Sequence, residues 1–176
     1  MTPFRRQQLI GIAGALPAFI IVPATLLHAR ELFAFVALPP DGAADRLAFA
    51  IHWMLWPGLC LLAGIVVAAR RGFVPDAIDG TRTPASHSLE INLRYNQNTL
   101  EQIVLACPAW AALAVSLPLD SLCLIPAMAM LFVVGRAAFW IGYVLHPMGR
   151  AFGMVLTVLP TLASYGWLAW QMSGTH

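Results

Sequence analysis

An all-α integral membrane protein with five spans is the fold class this sequence predicts, and three observations predict it. Of its 176 residues, 60% are hydrophobic and 10% charged, with mean hydropathy +0.75. Soluble domains carry about 25% charged residues, which excludes that class. Low charge with 13 Gly and 13 Pro spread through apolar runs likewise excludes a disordered or collagen-like chain. Five stretches, at about residues 7–28, 47–69, 89–115, 119–145 and 151–170, have the roughly 20 residues a helix needs to cross about 30 Å of hydrocarbon. The length suits one domain.

The first stretch follows Arg5 and Arg6 as a signal peptide would, but its apolar run is too long and no small-x-small cleavage site follows. It reads as an anchored span. Residues 29–46 then form an outer loop holding the turn Pro39-Pro40-Asp41-Gly42. Residues 70–88 form the main inner loop, broken by Pro75, Gly80 and Pro84. Ser86 or Ser88 is placed to cap the third span, and Glu90 in its first turn suits the helix dipole. Tight turns at Pro118-Leu119-Asp120 and His146-Pro147-Met148-Gly149 make the remaining connections.

Orientation follows from arginine, the chain's only basic side chain apart from His. An inward N-terminus puts Arg5, Arg6, Arg70, Arg71, Arg82, Arg94 and Arg150 on the inner side, with Arg30 and Arg46 outside. Trp53, Trp56, Trp110, Trp167 and Trp170 then fall toward the outer boundary as an aromatic belt. Net charge of +2 is too small and scattered for a nucleic-acid footprint. Cys60, Cys107 and Cys123 sit in apolar runs without a CxxC pair, so neither a disulfide framework nor a zinc site is expected. His28, His52, His87, His146 and His176 are too dispersed for a metal cluster.

Function is sought where polarity is expensive, since an ionisable group in hydrocarbon costs several kcal/mol unless paired. Glu90, Arg94, Asn98 and Glu101 recur at spacings of 4, 4 and 3, which puts all four on one helical face. Asn92, Asn96 and Gln97 widen that sector. The fourth span adds Arg136 and Tyr143 on one face, with Phe139 between them, and His146 and Arg150 follow. Arg94, Arg150 and Arg70 or Arg71 all lie near the inner boundary, where they can converge on one ligand. Arg136 lies deeper, with Glu101 its natural partner. Arginines at helix ends also snorkel with no ligand at all, so Arg70 and Arg71 by themselves read first as topology determinants. Several arginines with Asn and Glu suit a small, anionic, peptide-like ligand. A ligand thiol facing an arginine would have its pKa lowered from about 8.5.

At these residues the sequence resembles the MAPEG family, the membrane-associated proteins of eicosanoid and glutathione metabolism. Residues 89–101, from Leu89-Glu90-Ile91-Asn92-Leu93-Arg94 to Asn98 and Glu101, are similar to its E-R-x-x-R-x-x-x-N-x-x-E helix. Ala69-Arg70-Arg71-Gly72-Phe73 resembles the A-R-R-A-F stretch ending its first helix. Arg136, Tyr143 and Arg150 resemble the R-x6-Y-x6-R pattern of its leukotriene synthase branch. The resemblance, over about residues 48–172, implies a four-helix transmembrane bundle assembled as a homotrimer. Residues 1–46 would then be an extra N-terminal span with its outer loop, and 47–176 the four-helix domain.

By position, the resemblance implies Arg70, Arg94, Asn98, Glu101 and Tyr143 as glutathione ligands. It implies Arg150 as the catalytic arginine that stabilises the glutathione thiolate, and Arg136, with Glu90, in supporting roles. The co-substrate would be glutathione and the second substrate a lipophilic molecule from the bilayer. Such a glutathione-dependent transferase or peroxidase would sit as a multi-pass protein in a bacterial inner membrane, N-terminus in the cytoplasm. Ile91 stands where the family usually has arginine, Phe139 where Tyr or His is frequent, and Ala151 where one branch has a catalytic Ser. A noncatalytic scaffold or lipid-binding protein of the same fold is the alternative, the added first helix serving as a docking surface. A small transporter using Glu90, Glu101 and Arg136 is the weakest reading. Internal repeats are absent, although Pro108 and Pro126 could kink helices.

Overall fold

The computed structural model describes residues 2–73, 75, 77–79 and 86–174, and its regular structure there is entirely helical. Gly80, Arg82, Pro84 and His176 lie outside the described residues. The five spans are realised as α1 (Pro3–Leu27), α3 (Ala43–Ala68), α4 (His87–Ser116), α5 (Leu124–Leu145) and α6 (Ala151–Met172), all long and apolar enough to cross a membrane. A one-turn helix α2 (Ala29–Leu32) interrupts the outer loop. Short 3₁₀ turns at Ala69–Phe73 and Leu119–Cys123 end α3 and lead into α5.

Helices α3 to α6 form the bundle, with α5 packed against α3, α4 and α6, and α1 lying outside against α6 and α5. Small residues let α5 and α6 approach closely, as helices in lipid prefer. A Cβ on Gly153 would collide with the Gly135 carbonyl and the Phe139 backbone nitrogen, and Gly142 and Gly149 meet backbone to backbone in the same way. The α1 seam is also small: Gly11, Ala18 and Val22 are buried and Ala15 half-buried. These positions recur every three or four residues, a knobs-and-holes spacing.

The largest core cluster gathers Trp110, Leu113, Leu122, Ile125, Met128 and Phe132, with Trp53 and Trp167 against it. Trp110 is thus no belt residue. It is 1% exposed and meets the Phe132 ring edge-on at 6.3 Å, because α4 turns that face into the bundle rather than to the lipid boundary.

The Pro39–Gly42 stretch forms no hydrogen-bonded turn but bends at Asp41, and it delivers Gly42 as the N-cap of α3. Arg46, one turn in, folds back to donate to the Leu117 carbonyl at 2.9 Å at the end of α4, and pairs with Asp41 at 3.0 Å. Ser86 does start α4, but its side chain makes no capping bond. Its carbonyl accepts from the Leu89 and Glu90 amides, while the hydroxyl lies 3.2 Å from that of Ser88, itself held by Arg70. Pro126, third in α5, starts that helix instead of kinking it, whereas Pro108 lies inside α4.

Candidate functional site

The polar face of α4 opens onto a cavity of about 470 Å³ between α4, α5 and the start of α6. Its lining includes Arg94, Gln97, Asn98, Glu101, Tyr143 and Arg150 with the apolar Phe139, Met148, Ala151 and Met154. Five sequence-derived site residues from three elements therefore meet in one place: Arg94, Asn98, Glu101, Tyr143 and Arg150. Volumes of about 300–1,000 Å³ with a few convergent polar groups are usual for small-ligand sites.

Along α4 the side chains hold one another. Glu90 pairs with Arg94 at 3.5 Å, as the i,i+4 spacing predicts, and the Gln97 amide donates to the Glu101 carboxylate at 2.9 Å. These bonds aim the Arg94 cation and the Glu101 anion rather than consume them, since Arg94 and Glu101 stay exposed toward the cavity side. Beneath them Asn92 accepts from the Trp140 indole at 3.0 Å, and Tyr95 stacks on Trp140 at 4.7 Å, fixing α4 on α5.

Arg136 is fully buried and does not pair with Glu101. It donates to the Asn98 Oδ1 at 2.7 Å and to the Thr157 hydroxyl at 2.8 Å. Its guanidinium also lies 4.6 Å from the Phe139 ring centroid, a cation–π contact. The reason is depth: Asn98 lies one turn before Glu101, level with Arg136, while Glu101 faces the cavity and Gln97. Asn98 thereby spends its carbonyl on Arg136 and has its amide nitrogen left to offer the cavity. Thr157 in turn donates to the Met154 carbonyl at 2.9 Å, so Arg136 is anchored to α6 as well as α4.

Arg150 ends the 146–150 turn as the N-cap of α6, with its guanidinium 4.7 Å from the Tyr143 ring. Tyr143 is steadied by Phe139, edge-on at 5.8 Å. The turn is tied by the Gly149 amide to the His146 carbonyl at 2.8 Å and by the Met148 amide to the His146 ring at 3.1 Å.

Arg70 is not brought to this cavity in its own chain; it donates to Ser88 at 3.0 Å, and Arg71 donates to the Ala77 carbonyl at 3.2 Å. Convergence of all the inner arginines is thus corrected to Arg94 and Arg150. Sequence reasoning missed Met148, Met154 and Thr157. The methionines carry no signal beyond standing within four residues of Arg150, but Thr157 was a polar residue inside the last span and marked a partner for a buried donor.

The model of the MAPEG family matches residues 46–170. Over 167 residues the chain is 26% identical to transmembrane protein 79 of Mus musculus, covering 95% of this chain and 42% of that protein. Transmembrane protein 79 of Bos taurus is similar to the same extent. The chain spans less than half the length of these relatives. With 167 of 176 residues matched, only nine fall outside the shared stretch, so most of α1 lies within it although the family model begins after it. No solved structure matches the chain.

Proposed function

Because this chain belongs to the MAPEG family, we propose that it is a membrane-bound glutathione-dependent transferase or peroxidase acting on a lipophilic electrophile. The observation that carries this reading is the meeting of Arg94, Asn98, Glu101, Tyr143 and Arg150 around one cavity. Glutathione has two carboxylates, an ammonium and a thiol. Two arginines, one carboxylate and an amide donor are a matching set, and the volume suits a ligand of that size.

In this reading Arg94, aimed by Glu90, and the Asn98 amide take a carboxylate, and Glu101 takes the ammonium. Bound glutathione supplies the thiol nucleophile. Arg150, held at the mouth of α6 beside Tyr143, stabilises the anionic sulfur and raises the reactive fraction near neutral pH. Phe139, Met148, Ala151 and Met154 offer the apolar wall that a lipophilic partner needs, and holding both together lowers the entropic barrier.

We further propose that the working form is a homotrimer. Arg94, Gln97 and Glu101 stand exposed on α4 within a membrane span, where a charge facing lipid costs about 2.5–3.5 kcal/mol or more. A neighbouring copy on that face would cover them, and Arg70 of that copy, held in its own chain only by the exposed bond to Ser88, would approach the same ligand. The arginine distribution supports an N-terminus on the cytoplasmic side of the membrane.

Titrating the detergent-purified protein with glutathione and recording the ultraviolet difference spectrum tests the reading. A thiolate band should grow near neutral pH and be lost in Arg150→Ala, which keeps some glutathione binding. Full activity in Arg150→Ala refutes that residue's role. The second reading, a noncatalytic scaffold of the same fold, is favoured by Ala151 and Phe139, which bring no hydroxyl or imidazole to the cavity. Glutathione binding without a thiolate band would support it.

A further inference from the structure

Helix α1 lies outside the four-helix bundle, yet it touches the wall of the candidate site. Its seam of small residues seats it against α6, and the inner end of that seam is Gly11, which is buried. A Cβ built on Gly11 would come within 2.5 Å of the Met148 methyl carbon and 3.9 Å of its Cβ. Met148 is half-buried and lines the cavity two residues before Arg150. The rest of the 146–150 turn is fixed, by the backbone contact of Gly149 on Gly142 and by the bonds to His146. The long, unbranched Met148 side chain is the adjustable part, because thioethers rotate readily to fill whatever room is left.

We propose that α1 sets the width of the cavity at its Met148 wall: the bare backbone at Gly11 gives the Met148 methyl a seat outside the cavity, and filling that seat drives the methyl inward. Gly11 is then a specificity-determining position for the lipophilic ligand, acting through Met148. The inference rests on the cavity being the binding site proposed above, but not on glutathione being its occupant. It also gives α1 a reason to be packed so closely against α6: a looser helix would leave Met148 free to swing away from the wall.

The test uses full-length protein in lipid nanodiscs, labelled with methyl-¹³C methionine. The chain has seven methionines, and the Met148 resonance is identified as the one lost in Met148→Leu. In Gly11→Ala a single methyl group meets only the end of a flexible side chain, so the bundle stays intact. The Met148 resonance should move while those of Met54 and Met172 stay in place. A Met148 resonance that does not move in Gly11→Ala overturns the proposal, whatever the turnover. The second arm reads function, with glutathione and 1-chloro-2,4-dinitrobenzene as substrates. Gly11→Leu should raise KM for the electrophile roughly tenfold, the effect of overpacking worth about 1.4 kcal/mol, with kcat and glutathione affinity little changed. In a Met148→Ala background Gly11→Leu should leave KM at the value of Met148→Ala alone, and a further tenfold rise there refutes the route through Met148. Absence of wild-type turnover would instead sink the glutathione reading and leave the methyl shift to decide on α1.

Discussion

Thr157→Val isolates the bond that ties the buried arginine to α6. Valine keeps the volume and the methyl that packs near Gly135, and removes only the oxygen that accepts from Arg136 at 2.8 Å. Two magnitudes compete. Neutral hydrogen bonds inside membrane proteins average only about 0.6 kcal/mol and reach about 1.7. A bond to a charged group contributes about 1.5–3 kcal/mol, and a buried donor left without a partner bears the full desolvation penalty. The charged case applies here. Arg136 is fully buried, its Nε makes no hydrogen bond, and Asn98 holds only the other terminal nitrogen. The expected loss is about 2 kcal/mol. For a chain of this length each kcal/mol moves the midpoint by about 2–4 °C, so Tm should fall about 4–8 °C. Thermal unfolding in detergent, followed by tryptophan fluorescence, reads this directly. Thr157→Ser, which keeps the hydroxyl, should lose less than half as much. Equal losses in Ser and Val, or a Val shift under about 2 °C, would refute the idea that Thr157 supports Arg136.

Other substitutions separate the remaining contributions. Asn98→Asp retains the acceptor for Arg136 but removes the amide donor to the cavity. With glutathione as the proposed ligand, its affinity should fall about tenfold by calorimetry with no loss of thermal stability. Arg46→Ala removes the donor that closes the end of α4. It should destabilise by about 2–3 kcal/mol in thermal unfolding, whereas Asp41→Ala, whose carboxylate is largely exposed, should cost less than about 1. Gly153→Ala sets a methyl against backbone atoms that cannot rotate away, so the loss should reach about 3 kcal/mol, visible as reduced recovery of monodisperse protein.

The residues that could be placed before any coordinates were those for which lipid leaves few options. Glu90, Arg94, Asn98 and Glu101 on one face of a span announce a site because hydrocarbon tolerates them nowhere else. The helices were legible for the same reason, since a chain in lipid must satisfy its backbone within each span. Hence the predicted stretch at 151–170 and the observed Ala151–Met172 differ mainly by two residues at one end.

Apolar residues gave no such guidance. In water the pattern of apolar positions marks the buried face, but in a bilayer leucine and tryptophan are equally at home against lipid or core. Trp110 could therefore be assigned to a belt and yet lie at the centre of the largest cluster. The seam of α1 and the wall formed by Met148 and Met154 were likewise invisible. Pairing among the polar groups was underdetermined too: both Asn98 and Glu101 lie on the face that meets Arg136, and only the depth at which α4 and α5 cross selects Asn98. Composition and the cost of charge in hydrocarbon settle which helices span and which face of α4 is polar. Shape alone settles which neighbours those faces meet, because close packing in lipid depends on the fit of small residues and not on hydrophobicity.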